Sequence, residues 1–287
     1  MNRTLLLLFI VVSSVIRPVI ADDINENVIR WGILDFAPVN ILDGKHKRMG
    51  QSDQIIQLIE RHLPQYQYEW IPLNTRRLEG YIKAGDHYCH TAAIKKPERE
   101  KYAYFSRPIV MASSHRLLVL EDKAAELGIK EGVDFSQLIT NKKLSGGFAA
   151  GRSYGPDLDR QIELHEDGKH LFFAKGMNLT ETLLNMLMHG RIDYMVDYPW
   201  IIRYFAKTRA YHSEVRSFTI NGHPDYNYGY IYCPKNVWGK KVIDDINRVL
   251  DQIRDSDAYR DALFAWEDPA VVDTIKANYK QLFLDKK

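Results

Sequence analysis

The sequence predicts an α/β protein divided into two lobes, and three observations carry that prediction. With the first 21 residues set aside, 266 of the 287 remain. That is long for a single core, since cores stop growing at roughly 250–300 residues and domains commonly hold about 100–150. A helix–Gly–strand unit occurs twice, once ending its helix at Gly85 and once at Gly190. Two β-rich runs without helical periodicity, 109–120 and 226–233, stand where a chain would cross between lobes and return. The expected division is therefore a leader over 1–21, lobe one over 22–112 plus 234–287, and lobe two over 113–233.

The leader opens with Met1, Asn2 and Arg3, continues through an apolar run over 5–16, and ends on Pro18 and Val19-Ile20-Ala21. This is the pattern of a secretory signal peptide cleaved after Ala21. Its apolar run is interrupted by Ser13 and Ser14 and is shorter than the ~20 residues a bilayer crossing needs. No Cys follows Ala21 to take a lipid, so a soluble periplasmic protein is expected. The leader holds two Arg and no acid, so the overall balance of 39 basic against 37 acidic residues becomes 37 against 37 after cleavage. An even balance excludes a protein built to bind phosphate backbones, which needs an excess of Lys and Arg on one face.

Taken in order, residues 28–33 form an apolar strand leading into a Phe36-Ala37-Pro38 turn. Ser52 and Asp53 cap a helix whose Ile55, Ile56, Ile59 and Leu63 make one buried stripe, and Pro64 ends it. Residues 66–71 alternate as a strand. Asn74 or Thr75 then caps a helix with Leu78, Tyr81 and Ile82 on one face, Gly85 terminates it, and 87–94 form the next strand. In the second copy, Asn178 or Thr180 caps a helix carrying Leu183, Leu184, Leu187 and Met188, Gly190 ends it, and 192–196 form the strand. Helices over 242–253, 259–264 and 271–284 complete lobe one.

Several residues invite chemistry. Cys89 and Cys233 both lie in strand-like runs, and in an oxidising compartment a lone pair reads either as a disulfide or as two separate buried thiols. His87, Cys89 and His90 do not form a metal site, because strand alternation sends His90 to the opposite face; no metal or cofactor is expected. Gly151-Arg152-Ser153-Tyr154-Gly155 matches GxSxG. One reading is a hydrolase elbow, with Asp193 or Asp197 and then His212 or His223 following in triad order. The other is an anion pocket, where a glycine turn feeds a helix N-terminus with a hydroxyl and free N–H groups. Arg99 stands just past a strand end, where open α/β sheets bind ligands, and a guanidinium there can grip a carboxylate through paired hydrogen bonds. Arg76 and Arg77 open a helix against its macrodipole, which hints at a role for one of them, and Arg152 invites the same argument. A solvated surface charge is the alternative for each.

The segment 91–108, TAAIKKPEREKYAYFSRP, resembles bacterial family 3 extracellular solute-binding proteins, in which a strand runs into a T-P-x-R turn and then F-S-x-P. Other stretches agree in order: 31–38 with the first strand and its aromatic-x-Pro turn, Gly50 with Asp53 at the first helix, and Gly151-Arg152-Ser153 with Gly-Thr/Ser-Thr. Gly190-Arg191-Ile192-Asp193 falls at G-R-x-D, and Tyr228-Gly229-Tyr230 at the returning Y-G strand. The resemblance spans nearly the whole mature chain. It implies a two-lobed type 2 periplasmic-binding-protein clamp, each lobe a mixed sheet flanked by helices, joined by two crossing hinge strands. It also implies that the Cys89 and Cys233 strands are neighbours, favouring the disulfide.

By position, Arg99 resembles the family's carboxylate clamp, Phe36 the aromatic over the ligand, and Ser153 the lobe-two hydroxyl. The chain departs from the family at Ala92, Ile94 and Gln51, and Tyr198 stands where the amine-binding acid falls, next to Asp197. An ordinary α-amino-acid pocket is therefore not expected. A subset of the family without an assigned transport role is similar in R-L-x-x-x-I-x-x-G from Arg77, in Cys89 and in P-E-R-E. The expected function is a monomeric periplasmic binding protein that closes on a small anionic ligand for an ABC permease or a membrane sensor domain. Arg99 and Ser153 would grip the acid, Arg77 or Arg152 would add charge, and Phe36, Asp197, Tyr198 and Trp200 would complete the site. The alternatives are a Ser153 hydrolase, or a dehydratase-type enzyme on the same clamp using Asp197 or Glu98 as general acid or base.

Overall fold

A computed structural model describes residues 26–208, 214–267 and 269–286. The expected leader and His212 lie outside the described residues. The chain begins with β1 (Val28–Ile33), α1 (Gln51–His62), β2 (Gln67–Pro72), α2 (Thr75–Ala84), β3 (Tyr88–Ala93), α3 (Pro97–Glu100) and β4 (Ala103–Ser113). It crosses to β5 (Arg116–Leu120), α4 (Glu121–Leu127), α5 (Phe135–Thr140), β6 (Gly146–Ala149), α6 (Pro156–Leu164) and β7 (Leu171–Ala174), followed by α7 (Leu179–Met188), β8 (Tyr194–Asp197), α8 (Trp200–Thr208) and β9 (Val215–Phe218). It returns as β10 (Tyr226–Pro234), α9 (Val237–Ile253), α10 (Asp257–Phe264), α11 (Pro269–Ala277) and a π-helical turn, Lys280–Leu284.

These elements form two five-stranded mixed sheets, ordered β2-β1-β3-β10-β4 and β7-β6-β8-β5-β9. Local chemistry sets their ends. Asn74 accepts the Arg77 N–H to start α2, and Gly85, left-handed at φ 88°, closes it. At the start of α1 the buried Asp53 carboxylate accepts the Asn40 amide (2.7 Å) and the N–H groups of Ile41 (2.8 Å) and Gly50 (3.1 Å). This pins the loop that carries Phe36 to the helix. Trp31, Ile55, Ile59, Ile246 and Leu250 pack against the first sheet, and Leu117, Phe148, Tyr154 and Val196 fill the second. Burying such side chains contributes about 1.5–3 kcal/mol each.

The crossings differ from the expected boundary at one end. The run 109–120 breaks at Ser114 and His115, with β4 in the first sheet and β5 in the second. The return is earlier than residue 233, because the backbone of β10 finds partners on both sides in the first sheet. It pairs with β3, and with β4 from Tyr226 opposite Ser113 to Pro234 opposite Ala103. The two crossings touch where the Ser114 N–H donates to the Asp225 carbonyl (2.8 Å). Cys89 on β3 and Cys233 on β10 are joined in a disulfide, Cα to Cα 4.4 Å. Among the described residues no helix is long and apolar enough to cross a membrane.

Candidate functional site

The strand ends of the two sheets face one another across a cavity of about 110 Å³. Lobe one contributes Phe36, His90, Ala92 and Arg99 to its wall, and lobe two contributes Arg152, Ser153, Tyr198 and Trp200. The crossings add His115 and Asn227. The fold brings Phe36, Arg99, Arg152, Ser153, Tyr198 and Trp200 together around one cavity.

Their partners are the finding that sequence reasoning missed. Arg99 lies where its resemblance places it, but its guanidinium is engaged from within. Nε and Nη2 donate to Glu79 Oε1 on α2 (3.2 and 3.0 Å), and Nη1 donates to the Ile94 carbonyl (3.0 Å). Ser153 sits between two glycines at φ 77° and 102°, conformations that residues with a Cβ rarely adopt. That turn aims the chain into α6, and the anion at this helix start is the protein's own. The Ser153 hydroxyl and the Tyr154 N–H both donate to the Asp159 carboxylate (2.6 Å each). Arg152 donates to Asp197 Oδ2 (2.7 Å) and Thr180 Oγ1 (2.8 Å), and its guanidinium lies 4.1 Å over the Phe36 ring from the other lobe. Asp197 is fully buried beneath the wall. Burial raises its carboxyl, and Arg152 pulls it back down.

Three aromatic rings close the cavity. Tyr198 and Trp200 stack at 4.9 Å, and Phe36 leans on them at 5.9 and 6.0 Å. His115 lies 4.0 Å from the Tyr198 ring and meets the Asn227 amide through a ring nitrogen (3.0 Å). Burial, then the charges of His223 and Arg152, hold its imidazole well below the usual histidine range. His90 accepts the Ala92 N–H (3.1 Å) and stacks on Tyr232, and burial with the nearby Arg99 charge pushes it down to about 3. Both imidazoles are thus neutral. Asp35 also lines the cavity, and burial raises its carboxyl; the Asn178 N–H opposes this, while Asp43 and Glu181 add to it. The interruption Ser114-His115 in an otherwise β-rich run was the sequence signal for His115. His90 was signalled by strand alternation, which set it opposite Cys89.

Other expected residues fall elsewhere. Arg77 is exposed and donates from Nε to the Tyr81 hydroxyl (3.2 Å), because Leu78 and Ile82 take the inward face of α2 and turn its neighbour outward. Arg76 is exposed as well, and Glu98 is exposed beyond the cavity. The triad order is not assembled among the described residues. Ser153 donates to a carboxylate, Asp193 accepts from Ser145 (2.7 Å), and His223 Nε2 has no hydrogen-bond partner. Among the same residues no group of three or more His, Cys, Asp and Glu is placed to hold a metal.

Residues 29–268 match the family described as bacterial extracellular solute-binding proteins, family 3. No curated protein matches the sequence. Solved structures share the fold at low identity. The ancestral amino acid-binding protein AncCDT-1, a precursor of cyclohexadienyl dehydratase, is 16% identical with a TM-score of 0.64, covering 85% of this chain and 96% of that one. A putative L-cystine ABC transporter from Listeria monocytogenes is 19% identical with a TM-score of 0.64, covering 83% and 94%. The periplasmic VFT2 domain of Bordetella pertussis BvgS is 15% identical with a TM-score of 0.60, covering 84% and 94%.

Proposed function

The chain belongs to family 3 of the bacterial extracellular solute-binding proteins, and from that premise we propose that it is a periplasmic binding protein whose lobes close on one small solute. The carrying observation is the cavity walled by both lobes at their facing strand ends, the place where open α/β sheets take ligands. Binding shifts an open-to-closed equilibrium, and the closed form is what an ABC permease or a membrane sensor domain recognises. The leader over 1–21 accounts for export. Binding rather than catalysis is supported by Ser153 donating to Asp159 instead of an imidazole, and by Glu98 lying outside the cavity. Asp197, the remaining candidate acid, is committed to Arg152.

The test is native mass spectrometry of the protein as purified, followed by titration calorimetry with the retained molecule. A single small molecule at one per chain, released unchanged, is the expected result. An empty protein that no amino acid, dicarboxylate or uncharged solute stabilises thermally would overturn the reading.

A further inference from the structure

Both cations of the cavity wall, and the serine at the start of α6, already hold an internal carboxylate. Arg99 holds Glu79, Arg152 holds Asp197, and Ser153 holds Asp159. The charged residues on the cavity wall are Asp35, Arg99 and Arg152. With each arginine matched by its own acid, the charge left over is that of Asp35, whose neighbouring charges, Asp43 and Glu181, are acids as well. A carboxylate entering this space would shed its water without gaining a free cation, and a buried charge so placed is strongly disfavoured. A cation finds no open ring face, since Arg152 already covers Phe36 and Tyr198 stacks on Trp200, and its one acidic partner, Asp35, already accepts the Asn178 N–H and is raised by burial, which disfavours its charged form.

We infer that the cleft takes an uncharged, flat molecule bearing a hydrogen-bonding group, and that Glu79 is the residue that excludes carboxylates from Arg99. At about 110 Å³ the space is smaller than the apolar cavity of about 150 Å³ that holds benzene, so it limits the ligand to no more than a single ring. Neutral polar partners are at hand in Asn74, Thr75, His90, His115 and Asn227. Ala92 and Ile94, where the family resemblance expects hydroxyls beside the clamp, withhold two hydrogen bonds that a carboxylate would otherwise receive. Glu79 comes from α2, on the same lobe as Arg99, just as Asp197 and Asp159 share lobe two with Arg152 and Ser153, so none of the three pairings depends on the lobes being closed.

The inference rests on the solute-binding reading and is tested separately from it with three isosteric probes, benzoate, benzamide and benzamidine, which carry negative, zero and positive charge. Calorimetry on the unmodified protein is expected to rank benzamide at least tenfold tighter than either charged probe. In Glu79→Gln the benzoate affinity is expected to rise at least tenfold while that of benzamide stays within about threefold. Benzoate or benzamidine binding the unmodified protein as tightly as benzamide overturns the ligand class, as does the absence of benzamide binding at millimolar concentration. Unchanged benzoate binding in a folded Glu79→Gln protein overturns the role of Glu79. If native mass spectrometry recovers an anionic ligand, the charge argument fails while the solute-binding reading stands.

Discussion

Lys96 and Asp159 form an ion pair that joins the two lobes, the ammonium at the start of α3 meeting the carboxylate on α6 that also accepts from Ser153. Arg152 over Phe36, and the Asn178 N–H on Asp35, span the same cleft. The cleft is thus held shut by contacts of its own, and a ligand adds to them.

Loosening that ion pair should open the protein. Lys96 and Asp159 are each about a fifth exposed, and such partly solvated pairs contribute up to about 1 kcal/mol. Lys96→Ala is expected to raise the radius of gyration in small-angle scattering, and high salt should move the unmodified protein the same way. An unchanged radius in both experiments would remove the pair from the closing mechanism.

Arg152→Met leaves Asp197 buried without its cation, a change that costs about 3–5 kcal/mol. Urea unfolding should show this loss, and adding Asp197→Asn should restore most of it. If the single and double variants are equally unstable, the guanidinium matters for its packing on Phe36 rather than for its charge.

His90 should make stability fall with acid. Its folded value is lowered to about 3 from 6.5, so between those values the unfolded chain binds the extra proton and stability declines as pH falls. At ~1.4 kcal/mol per unit, the loss is on the order of 3 kcal/mol near pH 4. The raised carboxyls of Asp35, Asp53 and Glu60 act in the opposite sense as pH falls toward their ordinary values of 3.8, 3.8 and 4.5, so the measurement is a difference. Denaturation midpoints of His90→Gln should depend less steeply on pH between about 6.5 and 4 than those of the unmodified protein.

The Cys89–Cys233 bond closes a loop of 144 residues. Replacing both with Ser is expected to lower unfolding free energy by about 2–5 kcal/mol. Circular dichroism should otherwise be unchanged, because β3 and β10 remain paired through their backbones.

Much of this was legible from short-range chemistry. The cap expected at Asn74 or Thr75 and the stop at Gly85 bracket α2, whose cap is Asn74, and the stripe through Ile55, Ile56 and Ile59 predicts α1. Phe36, Arg99, Arg152 and Ser153, singled out from the sequence, all lie on the cavity wall. What stayed hidden was which acid faces which base. Glu79 is twenty residues from Arg99 and Asp197 is forty-five from Arg152, and such pairings follow from lobe geometry rather than local pattern. For the same reason the end of the second crossing was misplaced, since Tyr-rich alternation marks β10 as a strand without saying which sheet adopts it.

The register of β4 and β10 has a consequence for gene architecture. Ser113 and Tyr226 stand opposite each other on one rung of the ladder, so residues 114–225 leave and re-enter the first sheet at adjacent points. Lobe two is therefore a cassette: a two-residue hairpin turn spans the gap it would leave on excision, and what remains keeps all five strands of its sheet and the disulfide. A segment whose ends lie this close can be grafted, exchanged or replaced by another domain without threading the chain anew.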